Sequence, residues 1–303
     1  MEVLKTQGVT KLYGGKAAVD NVTLSVHKGD IFGLIGQNGA GKTTLMRMAA
    51  SLTWADSGHI ELFGESRPAE MAAARTRMGS VIEIPALYGN LTAHQNLEYY
   101  RRLRGINDKS RINEALQRVG LTDTGNKKFK NFSLGMKQRL GLAVAILGQP
   151  EFLILDEPIN GLDPTGIVEM REFIRQLNKE GITILISSHI LTELAQVATR
   201  YAIIHHGKLL KLLTQAELLE DCKQALLVVV DNATKAGEVL ESTLGIRDYE
   251  RTDDTHLRIY EHVSDPAEVT FRLNQAGVRV ASIQEVGDGL EEYYTNIIGG
   301  GTR

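Results

Sequence analysis

The sequence predicts an α/β fold: a largely parallel sheet flanked by helices, a helical subdomain inserted into it, and a small α+β domain after it. Three observations predict this. Apolar runs of strand length at 22–26, 31–35, 152–155, 182–187 and 201–204 alternate with helical patterning at 43–51, 93–103, 110–119, 136–147 and 165–179. Between residues 84 and 148 the pattern is helical, with few strand signals. After about residue 213 the composition shifts and a second set of elements begins, which divides the chain into 1–213 and 214–303.

The strand at 31–35 leads into Gly-Gln-Asn-Gly-Ala-Gly-Lys-Thr at 36–43, and a helical pattern follows. Strand, Gly-rich turn and helix are the context that a G-x-x-x-x-G-K-T phosphate loop requires. Gly36, Gly39 and Gly41 let the backbone curl with its N–H groups inward, and a side chain there would block a phosphate. Gln37, Asn38 and Ala40 fill the loop between the glycines, and Thr44 follows it. The helix turns unpaired N–H groups and its positive dipole end toward the same anion. Lys42 is placed for the β- and γ-phosphates, and the Thr43 hydroxyl for Mg²⁺.

The run 152–155 ends in Asp156 and Glu157. At a strand tip beside phosphates, Asp156 is placed to bind Mg²⁺ through water. Glu157, one step further, is placed to face an attacking water as general base.

Beyond residue 213, 225–230 (Ala-Leu-Leu-Val-Val-Val) reads as a strand and 235–244 as a helix. Residues 247–250 and 256–260 flank the turn Thr252-Asp253-Asp254 as a hairpin. Asp265-Pro266 reads as an N-cap with proline at the first helical position, followed by Val269, Leu273 and Ala276 at helical spacing. A strand at 278–286 and a helix carrying Leu290, Tyr293, Tyr294 and Ile297 complete the segment. The order β-α-β-β-α-β predicts a ferredoxin-like domain with an accessory or dimerisation role.

Length and composition set bounds. A chain of 303 residues buries a sizeable core without a staple. Its net charge of −3, with acids and bases interspersed, argues against nucleic acid as a partner. The single cysteine, Cys222, allows no internal disulfide, so a reducing, cytoplasmic compartment is expected. The first five residues carry no signal-peptide core, and no apolar stretch reaches bilayer length. A membrane role is therefore expected to come through a partner.

Four further motifs join the phosphate loop and the acidic strand. Phe132-Ser133-Leu134-Gly135-Met136-Lys137-Gln138-Arg139 lies upstream of that strand, and Gly161-Leu162-Asp163-Pro164 lies after it. His189 follows an apolar strand, and Tyr13 stands in Leu12-Tyr13-Gly14. In this order over residues 3–212 they resemble the ATP-binding cassette (ABC) family: aromatic loop, phosphate loop, signature, acidic strand, D-loop and switch histidine. The resemblance implies a P-loop NTPase core that binds ATP and Mg²⁺. It implies that Tyr13 stacks on adenine, that His189 contacts the γ-phosphate and holds the water with Glu157, and that Asp163 joins the nucleotide site. Ser133 and the backbone around Gly135 are implied to meet the γ-phosphate from the opposite subunit. A chain with one phosphate loop and one signature then needs a second copy or a relative, and a two-fold homodimer is the simplest solution. His205 and His206 match no motif and are read as bystanders, as is Cys222.

Two departures from the family pattern stand out. Glu83 occupies the position where the family has Gln. A carboxylate there can still bind Mg²⁺ but adds negative charge beside the phosphates. The signature reads Ser-Leu-Gly-Met-Lys instead of Ser-Gly-Gly-Gln, so Leu134 removes one flexible glycine. With Val-Ile-Glu-Ile-Pro-Ala-Leu-Tyr at 81–88, these features resemble bacterial cassettes of the bacitracin-resistance type, a group that includes self-protection exporters against lantibiotic peptides. That resemblance implies an ATPase on the inner face of the membrane, bound to separate integral membrane permease subunits. Leu87, Tyr88 and Leu91 are either a docking patch for such a subunit or ordinary loop packing. A regulatory or assembly ATPase that serves no transporter is the alternative.

Overall fold

The computed structural model describes residues 1–83, 86–222, 225–261, 265–286 and 290–299. Ile84 and Pro85, in the stretch expected to face a membrane partner, lie outside the described residues. The chain divides into two compact units, 1–215 and 216–303.

In the first unit a six-stranded sheet runs in the order Met78–Val81, Phe152–Leu155, Thr183–Ser188, Ile31–Ile35, Arg200–His205, Lys208–Thr214. All neighbours are parallel except the last pair. Ile31–Ile35 and Phe152–Leu155 are buried along their whole length, which is why they read as continuous apolar runs. The carboxyl ends of three adjacent strands carry Gly36, Asp156 and His189, and this is the edge where open parallel sheets bind ligands.

The 22–26 run belongs to a different sheet. It lies within Lys16–His27, which pairs antiparallel with Glu2–Tyr13, and Glu2–Tyr13 pairs in turn with Ser57–Leu62. Val22, Leu24 and Val26 are buried while Thr23 is exposed. This period of two marks a sheet with one solvated face, not a strand covered on both sides. The core beneath it joins Val22, Leu24 and Val26 to Leu45, Met46 and Phe152.

The predicted helices appear as Lys42–Ala49, Ala93–Leu103, Ser110–Arg118, Leu134–Ile146 and Pro164–Lys179. Two more, Pro68–Thr76 and Leu191–Ala195, accompany them. Ala93–Leu103 starts at a reciprocal capping box: Thr92 Oγ1 accepts from Gln95 N, and Gln95 Oε1 accepts from Thr92 N. Leu134–Ile146 is buried all round from Leu140 to Ile146, as a helix apolar on every face must be. With Ala93–Leu103 and Ser110–Arg118 it forms the inserted helical subdomain.

The second unit has a four-stranded antiparallel sheet in the order Tyr249–Arg251, His256–Ile259, Ala225–Val230, Val280–Val286. Helices Ala233–Val239 and Pro266–Gln275 complete a β-α-β-β-α-β connection. Ala233–Val239 starts two residues before the predicted 235 and continues as a π turn, Leu240–Leu244. The predicted 278–286 strand begins at Val280, because Val278 still donates its N–H to Leu273 at the helix end. Asp265 caps Pro266–Gln275 by accepting from Glu268 N. The core is Leu226, Val228, Leu257, Ile259, Val269 and Leu273.

Candidate active site

The phosphate loop wraps a cavity of ≈ 170 Å³ lined by Gln37 to Thr44, Ala18 and Glu157. The glycines act differently from the expectation that side chains there would meet a phosphate. A Cβ at Gly36 would lie 2.5 Å from Ile204 O, and one at Gly41 2.3 Å from Ala18 O. The obstacle at both positions is the protein's own backbone. Gly39 has open space, and its requirement is a φ of +82°. The loop is propped from outside: Gly207 N donates to Ala40 O at 2.9 Å, and Asp20 N donates to Gly207 O at 2.8 Å. This support comes from the turn beside His205 and His206, which sequence reasoning passed over.

Lys42 is buried. Its Nζ donates to Gly36 O at 2.6 Å and lies 3.2 Å from Glu157 Oε1. Glu157 Oε1 is itself buried, in a geometry that completes no hydrogen bond. The other carboxylate oxygen, Oε2, lies 2.9 Å from His189 Nδ1. Glu157 also takes a left-handed backbone at φ +48°, a strained conformation for a residue with a Cβ. Ser187 holds it there: Ser187 Oγ accepts from Glu157 N at 2.9 Å and donates to Asp156 Oδ1 at 2.6 Å. Thr43 Oγ1 donates to Asp156 Oδ2 at 2.8 Å. Lys42, Thr43, Asp156, Glu157 and His189 thus form one connected group. Its hydroxyl and carboxylate oxygens are the ligands that Mg²⁺ takes beside a nucleotide, so the donor set fits that ion.

Glu83 stands apart from this group. Its Oε1 pairs with Arg47 Nη1 at 3.2 Å, and no hydrogen bond or ion pair joins it to Thr43 or Asp156 among the described residues. Its φ is +60°. Tyr13 sits at the tip of the Glu2–Tyr13 and Lys16–His27 hairpin with 52% of its surface exposed, which leaves a ring free to stack. Lys11 Nζ lies 5.6 Å from the ring centre. Leu87 and Leu91 are half-buried, whereas Tyr88 is exposed and packs edge-on against Tyr99 at 4.8 Å. Buried Asn96 ties this loop to the subdomain by accepting from Tyr88 N and donating to Tyr88 O.

The signature lies elsewhere. Ser133, Leu134, Gly135, Gly161, Leu162 and Asp163 line a second cavity, of ≈ 470 Å³, that shares no residue with the first. Ser133 caps Leu134–Ile146 by accepting from Met136 N at 3.3 Å, which leaves its O–H free to donate to an anion. Asp163 caps Pro164–Lys179 through Gly166 N at 3.1 Å. The residues expected at one nucleotide therefore form two half-sites within the chain. Two residues beside these half-sites had no role assigned from sequence: Ser187, and Gln138 of the signature stretch, whose Nε2 donates to Asn160 O at 2.9 Å.

Comparison with known proteins shows the family and the fold. A family model described as ABC transporter matches residues 19–160. The bacitracin transport ATP-binding protein BcrA of Bacillus licheniformis is 44% identical over 99% of this chain and 98% of its own length. The lantibiotic transport ATP-binding protein SrtF of Streptococcus pyogenes is 44% identical over 69% of this chain and 89% of its own. Among solved structures, an ATP-binding subunit of an ABC transporter superposes with a TM-score of 0.65 at 28% identity, covering 72% of this chain and 92% of that one. A dimeric ATP-binding cassette in a post-hydrolysis state with ADP and Pi superposes equally, at 0.65 and 22% identity, over 70% of this chain and 98% of that one, and supports the fold.

Proposed function

We infer the function of this chain from one premise: it belongs to the family of ABC transporter ATP-binding proteins. It is an ATPase that powers a separate membrane permease. Among the described residues no helix is long and apolar enough to cross a membrane.

Within that frame two copies pack head to tail, each phosphate loop facing the other copy's signature. The observation that carries this is the split of the expected nucleotide contacts into two half-sites with no shared residue. Lys42 grips the phosphates, giving up its present contact with Glu157. Glu157 then faces the attacking water as general base, and His189 orients its carboxylate. Ser133 and the Gly135 backbone of the other copy donate to the γ-phosphate. Thr43 and Asp156 would hold Mg²⁺, which neutralises phosphate charge when bound. The adenine stacks on Tyr13. Tyr88, exposed at the edge of the helical subdomain, faces the permease on the cytoplasmic side of the membrane.

The cargo is a peptide antibiotic of the bacitracin or lantibiotic class. Full-length likeness to a bacitracin transport protein supports this, and so does likeness over 69% of the chain to a lantibiotic transport protein. The test is to express the chain with its permease in a sensitive bacterium. Tolerance to such peptides should rise, and Lys42→Ala should abolish the rise. Undiminished tolerance with Lys42→Ala contradicts the reading. Co-purification with soluble partners alone points to the regulatory or assembly role instead.

A further inference from the structure

We propose that Gln138 is a positioning residue that ties the signature of each chain to the catalytic loop of the same chain. Gln138 lies one turn into the helix Leu134–Ile146, whose first residues form the signature. Its Nε2 donates to Asn160 O at 2.9 Å. Asn160 N donates in turn to Glu157 O at 3.1 Å, closing a tight turn. One residue, Asn160, thus joins the signature helix to the residue placed as general base, its C=O facing Gln138 and its N–H facing Glu157.

Apolar packing makes the same connection. A Cβ on Gly161 would lie 2.8 Å from Leu134 Cδ2, and one on Gly135 would lie 3.3 Å from Leu162 Cδ2. Leu134, which stands where the family pattern has glycine, presses directly on the loop. The signature turn and residues 157–162 therefore move as one block. In the head-to-tail dimer, on which this inference rests, the signature contacts ATP held by the partner. A displacement there reaches the chain's own Glu157 through Gln138.

The other amide atom indicates why glutamine is present. Gln138 Oε1 is buried and has no hydrogen-bond partner. A side chain kept for packing alone would be better apolar, because an orphaned buried acceptor is destabilising. Methionine has the same length and no such atom. The amide is retained for its N–H, directed at the carbonyl of Asn160, the residue whose own N–H holds Glu157 O.

Gln138→Met tests this in the full-length protein. Its kcat for ATP should fall on the order of tenfold, the cost of a slightly misplaced catalytic group, with KM for MgATP within about twofold. Its melting temperature should be unchanged or higher. Gln138→Glu keeps the length, loses the donor and should be at least as slow, which preserves the test if the methionine variant does not fold. Unchanged kcat in either folded variant overturns the proposal, as does a loss of stability that parallels the loss of turnover. The double variant Glu157→Gln with Gln138→Met separates this claim from the dimer reading. If Glu157→Gln alone dimerises with MgATP, the double variant should as well, and its failure to do so overturns the link by making Gln138 part of the signature itself. If Glu157→Gln alone stays monomeric, the dimer reading fails instead.

Discussion

In residues 1–215 seven non-glycine residues adopt the left-handed backbone region, Glu83 and Glu157 among them, whereas none of the described non-glycine residues of 216–303 does. Buried polar and charged side chains divide the same way: Lys42, Asp156, Ser187 and the others all lie in the first unit. The second unit is built from alternating strands and capped helices over a plain aliphatic core. Strain and buried charge persist only where the surrounding structure holds them and where function gains from them. The first unit thus holds the strain and the buried charge, and apart from the π turn Leu240–Leu244 the described residues of the second follow local folding rules.

The sharpest break would come at the buried lysine. Lys42→Ala should lower ATP turnover at least about a hundredfold, the scale of losing one preorganised charge at a transition state. It should also lower the melting temperature of the nucleotide-free protein, because the buried Oε1 of Glu157 is left without its cation. Phosphate release and calorimetry check the two effects. A core cavity in the second unit should do the opposite. Leu226→Ala should destabilise that unit by about 2–5 kcal/mol in chemical denaturation. Affinity for MgATP, measured by titration calorimetry, should stay constant; a fall would erase the functional contrast between the units.

Paired glycine variants sharpen the contrast further. Gly41→Ala meets both a φ of +107° and a carbonyl at 2.3 Å, and should cost about 3 kcal/mol. Gly245→Ala, at φ +69° with open space around it, should cost only about 1 kcal/mol. Equal melting shifts would contradict the claim that the phosphate loop is the tighter turn. Tyr13→Ala should weaken MgATP binding by about 0.5–1.5 kcal/mol if the exposed ring stacks on adenine, as fluorescence titration would show.

The smallest effect concerns pH. Hydrogen bonds from Arg101, then Arg102, hold the Glu98 carboxyl down at about 2. A lowered folded-state value means that the pair stabilises the protein above the ordinary carboxylate range. That stabilisation is lost as pH falls toward 2. The melting difference between wild type and Glu98→Gln should therefore be largest near neutrality and shrink between about pH 5 and pH 2.

The phosphate loop and the acidic strand were legible because glycines and carboxylates interrupt otherwise apolar runs. The inner parallel strands were legible because they are buried on both faces, whereas Met78–Val81, mostly half-buried at the end of the sheet, was not. Glu2–Tyr13 was not, because Gly8 and repeated register shifts break its alternation. Lys208–Thr214 escaped because an edge strand with mostly exposed residues has little pattern. Ser187 read as a strand end, although its hydroxyl joins Asp156 to Glu157 across 31 and 30 residues of sequence. Glu83 is expected at the metal from its place in the family pattern. Its pairing with Arg47, 36 residues away, depends on the fold. The Gln138 contact is hidden for a related reason: its acceptor is a backbone carbonyl, which leaves no mark on residue type.

The head-to-tail arrangement is tested most directly by cross-linking between copies. In a Cys222→Ser, Glu157→Gln background, one population carries Asn38→Cys in the phosphate loop and another carries Ser133→Cys in the signature. Mixed with MgATP and a short bifunctional maleimide, they should yield a 38-to-133 linked dimer, and omission of nucleotide should abolish it. Absence of that product at saturating MgATP, or its equal formation without nucleotide, would contradict a nucleotide shared between two copies of this chain.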